Sequence, residues 1–337
     1  MLDLYKPPIE EVTDLWDGRV DSENDFKSFR WHQWLDFIDL NQKEEVLDEG
    51  EKGFCFLGYS CDQGVKRNKG RAGAVKGPAS IRKELANLPC RFDKNVKLFD
   101  AGDIICAGHN LEDAQNTLAQ AVEKIKSLNL FPILLGGGHG IAFGHYQGLV
   151  NSIQNDEQCL GIINFDAHFD LRPYPDGGNS GTMFRQIADK CQKEGRDFPY
   201  FCVGIQKSGN TISLFEKADE LGTEYILAKD MNNLNMMENL EKLNSFIFEN
   251  DHIYLTICSD VFSSAYAPGV SASNPMGIEP EIALKLIKHI IKSGKVFSFD
   301  IAEVSPRFDL DNVTANLASI IIFAVINTFV KEDVSVK

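Results

Sequence analysis

Short apolar runs of strand length alternate with amphipathic helical patterns along most of the chain. Between the runs, apolar residues recur at helical spacing, as in residues 111–125 and 279–291. A longer apolar segment, residues 313–330, is predicted to form a buried helix. The predicted strands are residues 54–59, 96–99, 131–135, 160–165, 200–205, 224–227, 252–257 and 296–301.

Continuously apolar strands that are separated by helices are typical of a parallel sheet covered on both faces. We therefore predict a three-layer α/β fold around a mostly parallel sheet of about eight strands. No repeat, low-complexity segment or linker divides the chain, which favours one domain over residues 1–337. Residues 1–50 contain all three tryptophans and many charges, and are expected to be an N-terminal appendage packed on that domain.

The formal charge of −15 narrows the classes of partner. Nucleic acids and anionic membranes attract basic surfaces, so neither is an expected partner. We also expect no segment with the roughly 18 apolar residues of a membrane span. Eight cysteines spread over 337 residues do not form a disulfide framework, and several fall in apolar strands. A reducing, cytoplasmic compartment is the expected location.

The most informative polar positions are Asp166, His168 and Asp170, which directly follow a predicted strand. Alternate residues of an extended segment point to one face, so these two carboxylates and the imidazole should converge. Ionised carboxylates so close together repel strongly unless a cation lies between them. The motif therefore predicts a site for divalent metal ions, with more than one ion expected.

Two further predicted strands end in ligand-type residues. A glycine run, Gly136-Gly137-Gly138, precedes His139 and allows close backbone approach, and another strand ends in Cys258 and Asp260. In open α/β sheets ligands gather outside the carboxyl ends of the strands, so all three sets are expected at one place. Cys258 is open to three interpretations: a weak ligand, a thiolate ligand or a lining residue, since hard divalent ions prefer oxygen and imidazole.

Two further residues and one loop have polar or charged groups whose roles the sequence leaves to be assigned. Glu303, at the end of the last predicted strand, could face the same cavity and hydrogen-bond a cationic amidine, or could lie on its rim. The basic, glycine-rich loop of residues 64–73 could hold a phosphate or a carboxylate, although its spacing matches neither a Walker loop nor a dinucleotide fingerprint. His145 falls at helical spacing among apolar residues and is expected to pack in the core.

Together these motifs resemble the ureohydrolase (arginase-like) superfamily over about residues 50–330. Within it the chain is most similar to the formimidoylglutamase family, in residues 16–21, 58–71, 166–172 and 267–272. The resemblance implies hydrolysis of N-formimidoyl-L-glutamate to L-glutamate and formamide. Two alternatives stay open: another amidine or guanidine hydrolase, of agmatinase or guanidino-acid type, and a metal-poor, non-catalytic member.

The resemblance also implies two manganese ions that share a bridging hydroxide, with Asp166 bridging the ions. Asp170 would pass a proton to the leaving nitrogen, and Glu303 would hold the amidinium group. By position in the motifs, the implied ligands are His139, Asp166, His168, Asp170 and Asp260.

Three departures from the family pattern bear on the site. Cys258 stands where the family usually has a bridging aspartate, which leaves weaker, partial or redox-sensitive occupancy of the second metal site open. Gly138 replaces an aspartate that would lie behind the histidine ligand. Phe184 stands where arginases have a histidine, which argues against arginine as the substrate.

The two carboxylates of such a substrate need cationic partners, and Arg172 is the first candidate because arginine binds carboxylates in a bidentate manner. Arg67, Arg185 and Asn68 are weaker candidates. A disulfide between Cys61 and Cys258 would withdraw Cys258 from the metals, and a homo-oligomer is left open.

Overall fold

The computed structural model describes residues 2–42, 45–106, 108, 110–155 and 158–332. Its strands are β1 (Tyr5–Lys6), β2 (Leu35–Phe37), β3 (Lys52–Ser60), β4 (Val96–Ile105), β5 (Leu130–Gly136), β6 (Leu160–Phe165), β7 (Tyr200–Ile205), β8 (Glu224–Leu227), β9 (His252–Cys258) and β10 (Val296–Ala302). Its α-helices are α1 (Glu10–Thr13), α2 (Gln63–Arg67), α3 (Gly77–Ala86), α4 (Leu111–Ser127), α5 (Ile141–Ser152), α6 (Met183–Glu194), α7 (Ile212–Glu220), α8 (Met236–Glu249), α9 (Pro280–Lys292) and α10 (Val313–Glu332).

The strands form one sheet in the order β1-β4-β3-β5-β10-β9-β6-β7-β8, with β2 also paired to β4. Every pair is parallel except β1 with β4, which confirms the predicted mostly parallel sheet. The eight predicted strands are all present, as β3 to β10. The sheet has ten strands because β1 and β2, of two and three residues, add to it. Strands so short carry no readable alternation of apolar and polar residues.

Two layers of helices cover the sheet, as predicted. Helices α3, α8, α9 and α10 contribute side chains to the core on one face. Helices α4, α5, α6 and α7 contribute to the core on the other. Alternate residues of β3 divide between them: Phe54 and Phe56 point into the first core, and Cys55 and Leu57 into the second.

Helix α10 confirms the predicted buried helix but differs from expectation in one respect. By length and composition, Val313–Lys331 could cross a membrane, a property that we expected of no segment. More than half of that stretch is buried inside the fold, and α10 packs against α3 and α9. A helix enclosed in this way is apolar all round, so packing accounts for its character.

The first fifty residues are tied into the body by buried contacts. Trp16 is buried, and its Nε1 donates to Asp100 Oδ2 at 2.7 Å. Asp100 also accepts from the buried guanidinium of Arg82 at 2.7 Å and 3.0 Å. The division into a domain and an appendage at residue 50 stays a prediction.

Four adjacent strands in the middle of the sheet, β5, β10, β9 and β6, end at the same edge. The glycine run follows β5 in a tight bend. A Cβ atom on Gly137 would lie 2.2 Å from the carbonyl oxygen of Cys61, so only glycine fits there. The Gly137 carbonyl accepts from the Glu303 N–H at 2.8 Å, which joins the ends of β5 and β10.

Candidate metal centre

The predicted ligands from three strand ends lie together in the structure. One group contains His139, Asp166 and Cys258, and a second contains Asp166, His168 and Asp260. Within each group, one ligand atom per residue lies within 4.8 Å of the others. Because Asp166 belongs to both groups, the arrangement has two neighbouring ligand sets that share one carboxylate.

Asp166 turns one oxygen toward each histidine. Its Oδ2 lies 3.0 Å from His139 Nδ1, and its Oδ1 lies 3.4 Å from His168 Nδ1. Asp170 Oδ2 lies 3.4 Å from the same His139 nitrogen, and Asp260 Oδ2 lies 3.4 Å from the His168 nitrogen. A carboxylate between two imidazoles in this way suits a bridging ligand.

Buried polar atoms without partners show that the cluster fits cations. Among the described residues, His139 Nδ1, Asp260 Oδ1 and Glu303 Oε2 are buried and make no hydrogen bond. Leaving such a group unsatisfied costs about 1–3 kcal/mol. Carboxylate oxygens and imidazole nitrogens are a donor set that suits manganese and related divalent ions. The residues present therefore fit the metal centre that the sequence predicts.

The electrostatics of the cluster are those of crowded acids. Burial raises the pKa of Asp170 to about 6, and the charge of Asp166 adds to the effect. Burial also raises the pKa of Glu303 to about 8, and the pKa of the Cys258 thiol well above its usual range. Burial opposes ionisation of Asp166 too, but its close contacts with His139 and His168 outweigh burial and lower its pKa. A bound cation would relieve the repulsion among these groups.

Two of the predicted catalytic residues have a rare backbone conformation. Asp170 has φ of 50° and Glu303 has φ of 66°, both in the left-handed region. Non-glycine residues in sparsely populated backbone regions cost about 1–3 kcal/mol and occur preferentially at functional sites. Here the turns direct both carboxylates from strand ends into the cluster.

A cavity of about 270 Å³ opens above the cluster. His139, His168, Asp170, Cys258, Asp260 and Glu303 lie in its wall together with residues of three loops. The loop residues are Asn68, Lys69, Gly70, Arg71, Arg172, Ser180, Ser271 and Ala272. Glu303 therefore lines the cavity, and its contact with an amidine stays a prediction.

The predicted substrate residues divide into two sets. Arg172 and Asn68 line the cavity, and Arg172 Nη1 donates to Asn68 Oδ1 at 3.4 Å. Arg67 and Arg185 do not line it. Arg67 pairs with Glu112 at 2.5 Å, and Arg185 pairs with Asp189 one helical turn along α6 at 2.9 Å. We therefore leave these two arginines out of the proposed substrate contacts.

Two further cations at the cavity were not predicted individually. Lys69, with φ of 59°, and Arg71 belong to the basic loop that the sequence singled out, and both line the cavity. Arg71 is held by the carbonyl oxygens of Val270 and Ser271 and lies over the ring of Phe308. The glycine-rich, basic composition of the loop was the available signal.

The sequence also missed a polar network behind His139. His139 Nε2 lies 3.0 Å from Thr256 Oγ1, which donates to Asp300 Oδ1 at 2.6 Å. His145 is buried as expected, but its Nδ1 bonds Asp300 Oδ2 at 2.6 Å, so it is part of this network rather than apolar packing. Asp300 sits inside the apolar run of β10, which was the only sequence signal for a buried carboxylate.

Two departures from the family pattern have structural explanations. A Cβ atom on Gly138 would lie 2.6 Å from Val65 Cγ2 and 3.3 Å from Glu303 Oε1, so an aspartate there would crowd Glu303. Phe184 is fully buried and stacks on Tyr200 with ring centroids 4.4 Å apart. Its ring also meets that of His139 at 5.7 Å, so Phe184 packs beside a metal ligand.

The two cysteines of the predicted disulfide have different surroundings. The neighbouring side chain of Cys106 lowers the pKa of the Cys61 thiol, and Cys61 is absent from the cavity wall. Cys258 lies in that wall, with Asp166, Asp260 and Glu303 among the charges that act on it. Both are free thiols here, and the Cys61–Cys258 disulfide stays a prediction.

Known proteins share both the sequence and the fold. The sequence model of the arginase family matches residues 52–327. A curated formimidoylglutamase from Clostridium tetani is 54% identical over 330 residues, which are 97% of this chain and 97% of that protein.

Solved structures add to this likeness. A formimidoylglutamase from Bacillus subtilis superposes with a TM-score of 0.74 at 21% identity, over 83% of this chain and 88% of that chain, and so shows the shared fold. A variant of Trypanosoma cruzi formiminoglutamase, solved with manganese, has a TM-score of 0.73 at 26% identity, over 86% and 95% of the two chains.

Proposed function

The chain belongs to the arginase family, and from that premise we propose that it hydrolyses N-formimidoyl-L-glutamate to L-glutamate and formamide. The high identity to a formimidoylglutamase over nearly the whole chain supports this substrate. The structural observation that carries the proposal is Asp166, buried between His139 and His168 with one oxygen toward each. It supports a centre of two ligand sets beneath a cavity.

We propose two manganese ions as the cofactor. The manganese in the Trypanosoma cruzi structure and the two ligand groups support this number and this metal. Divalent ions bound there would acidify a water molecule and so supply hydroxide near neutral pH. The proposed ligands are His139, Asp166, His168, Asp170, Asp260 and Cys258.

Glu303 is placed to hold the amidine group. Its Oε1 accepts the His139 N–H at 2.9 Å, which orients the carboxylate. Its other oxygen, Oε2, is buried without a partner and can accept an N–H of the substrate amidinium. Such a contact would hold the amidine carbon over the cluster and balance its charge.

Asp170 is the proposed proton carrier. Hydrolysis forms a C–O bond at the amidine carbon and breaks the C–N bond to the glutamate nitrogen, which must gain a proton as it leaves. The Asp170 carboxylate lies in the cavity wall beside His139, and its raised pKa suits a group that accepts and returns a proton.

The cations at the cavity are proposed to bind the two carboxylates of the substrate. Among the described residues, Lys69 and Arg172 form no ion pair with an Asp or Glu side chain, so they are available to an anionic ligand. Arg71 adds a third positive charge in the same wall. These charges disfavour agmatine, whose tail is cationic, and leave a guanidino acid as the alternative substrate.

The reaction products distinguish hydrolysis of formimidoylglutamate from hydrolysis of a guanidino acid or of agmatine. Purified protein loaded with manganese is incubated separately with N-formimidoyl-L-glutamate, a guanidino acid and agmatine. We expect glutamate and formamide in equal amounts from the first substrate, and no urea from the others. Asp260→Asn should abolish turnover, whereas Asp219→Asn, at an exposed position outside the site, should not.

Other outcomes identify the alternatives. Urea from the guanidino acid without formamide from the first substrate would assign the other hydrolase class. No turnover, with less than one equivalent of metal bound after loading, would assign a non-catalytic member.

We also propose a cytoplasmic location and leave self-association as a prediction. All eight cysteines are free, which suits a reducing compartment. Light scattering on the purified protein would measure its oligomeric state.

A further inference from the structure

The His139 side of the metal centre includes a thiol among its ligand-type residues, whereas the His168 side has only carboxylates and the imidazole. Cys258 occupies one position of that ligand group, and Gly138 has no side chain to offer behind the histidine. The other group contains two carboxylates, Asp166 and Asp260, with His168. The polar network behind His139 adds a buried carboxylate, Asp300, to the surroundings of this histidine.

The hydrogen bonds of Thr256 determine which ring nitrogen of His139 carries a hydrogen. Thr256 has one hydroxyl hydrogen, and it is donated to Asp300 Oδ1 at 2.6 Å. The Thr256 oxygen must therefore accept the hydrogen of His139 Nε2, 3.0 Å away. With hydrogen on Nε2, Nδ1 is the nitrogen that faces Asp166 and Asp170, where the ligand atoms converge, and it would bind a metal ion through its lone pair once it has lost any proton.

Asp300, which accepts the Thr256 hydrogen, is held in place by further hydrogen bonds. Its Oδ2 accepts from His145 Nδ1 at 2.6 Å and from the Tyr254 hydroxyl. His145 Nε2 lies 2.6 Å from Ser298 Oγ, and Ser298 donates to the carbonyl of Pro132 at 3.1 Å. Asp300 and its neighbours His145, Tyr254 and Ser298 are fully buried, so Asp300 is an enclosed carboxylate with several donors around it.

We propose that Thr256 and Asp300 are positioning residues of the metal centre. Thr256 fixes His139 as an Nδ1 ligand, and Asp300 raises the basicity of the imidazole through the threonine hydroxyl. This carboxylate–threonine–histidine relay holds the imidazole from behind, on the side where Gly138 offers no side chain. The inference rests on the proposed metal-dependent function and concerns one of its two ligand groups.

The test compares two substitutions of Thr256. Thr256→Val keeps the shape but leaves the His139 Nε2 hydrogen without an acceptor, whereas Thr256→Ser keeps the hydroxyl. Loss of such an outer contact typically weakens metal binding about 10–100-fold. In Thr256→Val we expect one of the two manganese-binding steps to weaken by this factor. In Thr256→Ser we expect both manganese affinities to stay near those of the wild type.

Manganese binding is measured by calorimetry and by the electron paramagnetic resonance of free Mn²⁺, so the result does not depend on turnover. Thr223→Val is the matched control, because Thr223 is also buried and its hydroxyl makes no hydrogen bond in the described structure. Formamide release at saturating manganese should recover in Thr256→Val, with an unchanged KM for the amidine.

The outcomes separate the two proposals. Equal manganese affinity in wild type and Thr256→Val, or equal losses in the valine and serine variants, would overturn the relay. If Thr256→Val does not fold, Asp300→Asn decides: it keeps an acceptor for Thr256 without the charge, and unchanged affinity in it would overturn the role of Asp300. Tight manganese binding without formamide release would instead contradict the proposed function and leave the relay intact.

Discussion

At the scale of single residues, the site depends on where a few charges are placed. Asp166 is shared by two ligand groups, and Glu303 and Asp170 reach the cluster only through left-handed backbone turns. Arg172 lies across the cavity, free of any acidic partner in the described structure.

Arg172 is the residue whose role is most readily tested. Arg172→Ala should raise the KM for formimidoylglutamate about 10–100-fold and change kcat little, because it removes charge-assisted hydrogen bonds worth about 1.5–3 kcal/mol. Steady-state kinetics of glutamate formation measure the effect. Arg185→Ala is the matched control, since Arg185 pairs with Asp189 outside the cavity. An unchanged KM in Arg172→Ala would remove it from the substrate site.

At the scale of elements, the carboxyl ends of four adjacent parallel strands build the site. Their order in the sheet, β5-β10-β9-β6, is not their order in the chain, so the ligands meet only after the crossovers are made. The apolar pattern predicted all four strands and their burial on both faces of the sheet. It did not show that the first fifty residues extend the sheet, because β1 and β2 are too short to carry a pattern.

Removing the first fifty residues tests whether they are an appendage. The truncated chain loses β1, β2 and the bond from Trp16 to the buried Asp100, and it uncovers the edge of β4. We expect aggregation or a lower melting temperature, since an exposed sheet edge and a buried carboxylate with one donor fewer are both unfavourable. Thermal unfolding and light scattering measure the result. An unchanged melting temperature and a monodisperse product would mean that the segment is dispensable.

At the scale of the whole molecule, the fold holds mutually repelling acids in its interior. The whole chain has a formal charge of −15, yet the site is proposed to bind an anionic substrate. The cations that line the cavity must therefore offset the repulsion between the protein and this substrate. Burial within the three-layer fold sets the pKa values of Glu303 and Asp170. The site is therefore a source of instability in the metal-free protein.

The stabilisation of the protein by manganese should depend on pH. The pKa of Glu303 is raised from 4.5 to about 8 in the folded, metal-free protein, so its contribution to stability is present below pH 4.5 and is lost as the pH rises through 8. Manganese bound beside Glu303 would favour its ionised form, and it would also displace protons from its own ligands, so it should stabilise the protein more at higher pH. We expect the gain in melting temperature on adding manganese to be larger at pH 8 than at pH 6. A gain that is equal or smaller at pH 8 would contradict this.

The sequence by itself determined the eight long strands, the layered fold, and the metal-ligand types at the strand ends. These follow from local patterns, since burial on both faces requires continuous apolar runs and a motif such as Asp166-Ala167-His168-Phe169-Asp170 is contiguous. Only the tertiary structure decided which basic residues face the cavity, placing Lys69 and Arg71 there and Arg185 elsewhere. It also joined His139 to Asp300, 161 positions away in sequence, through Thr256. Such partners are set by strand order and register, which no local pattern encodes.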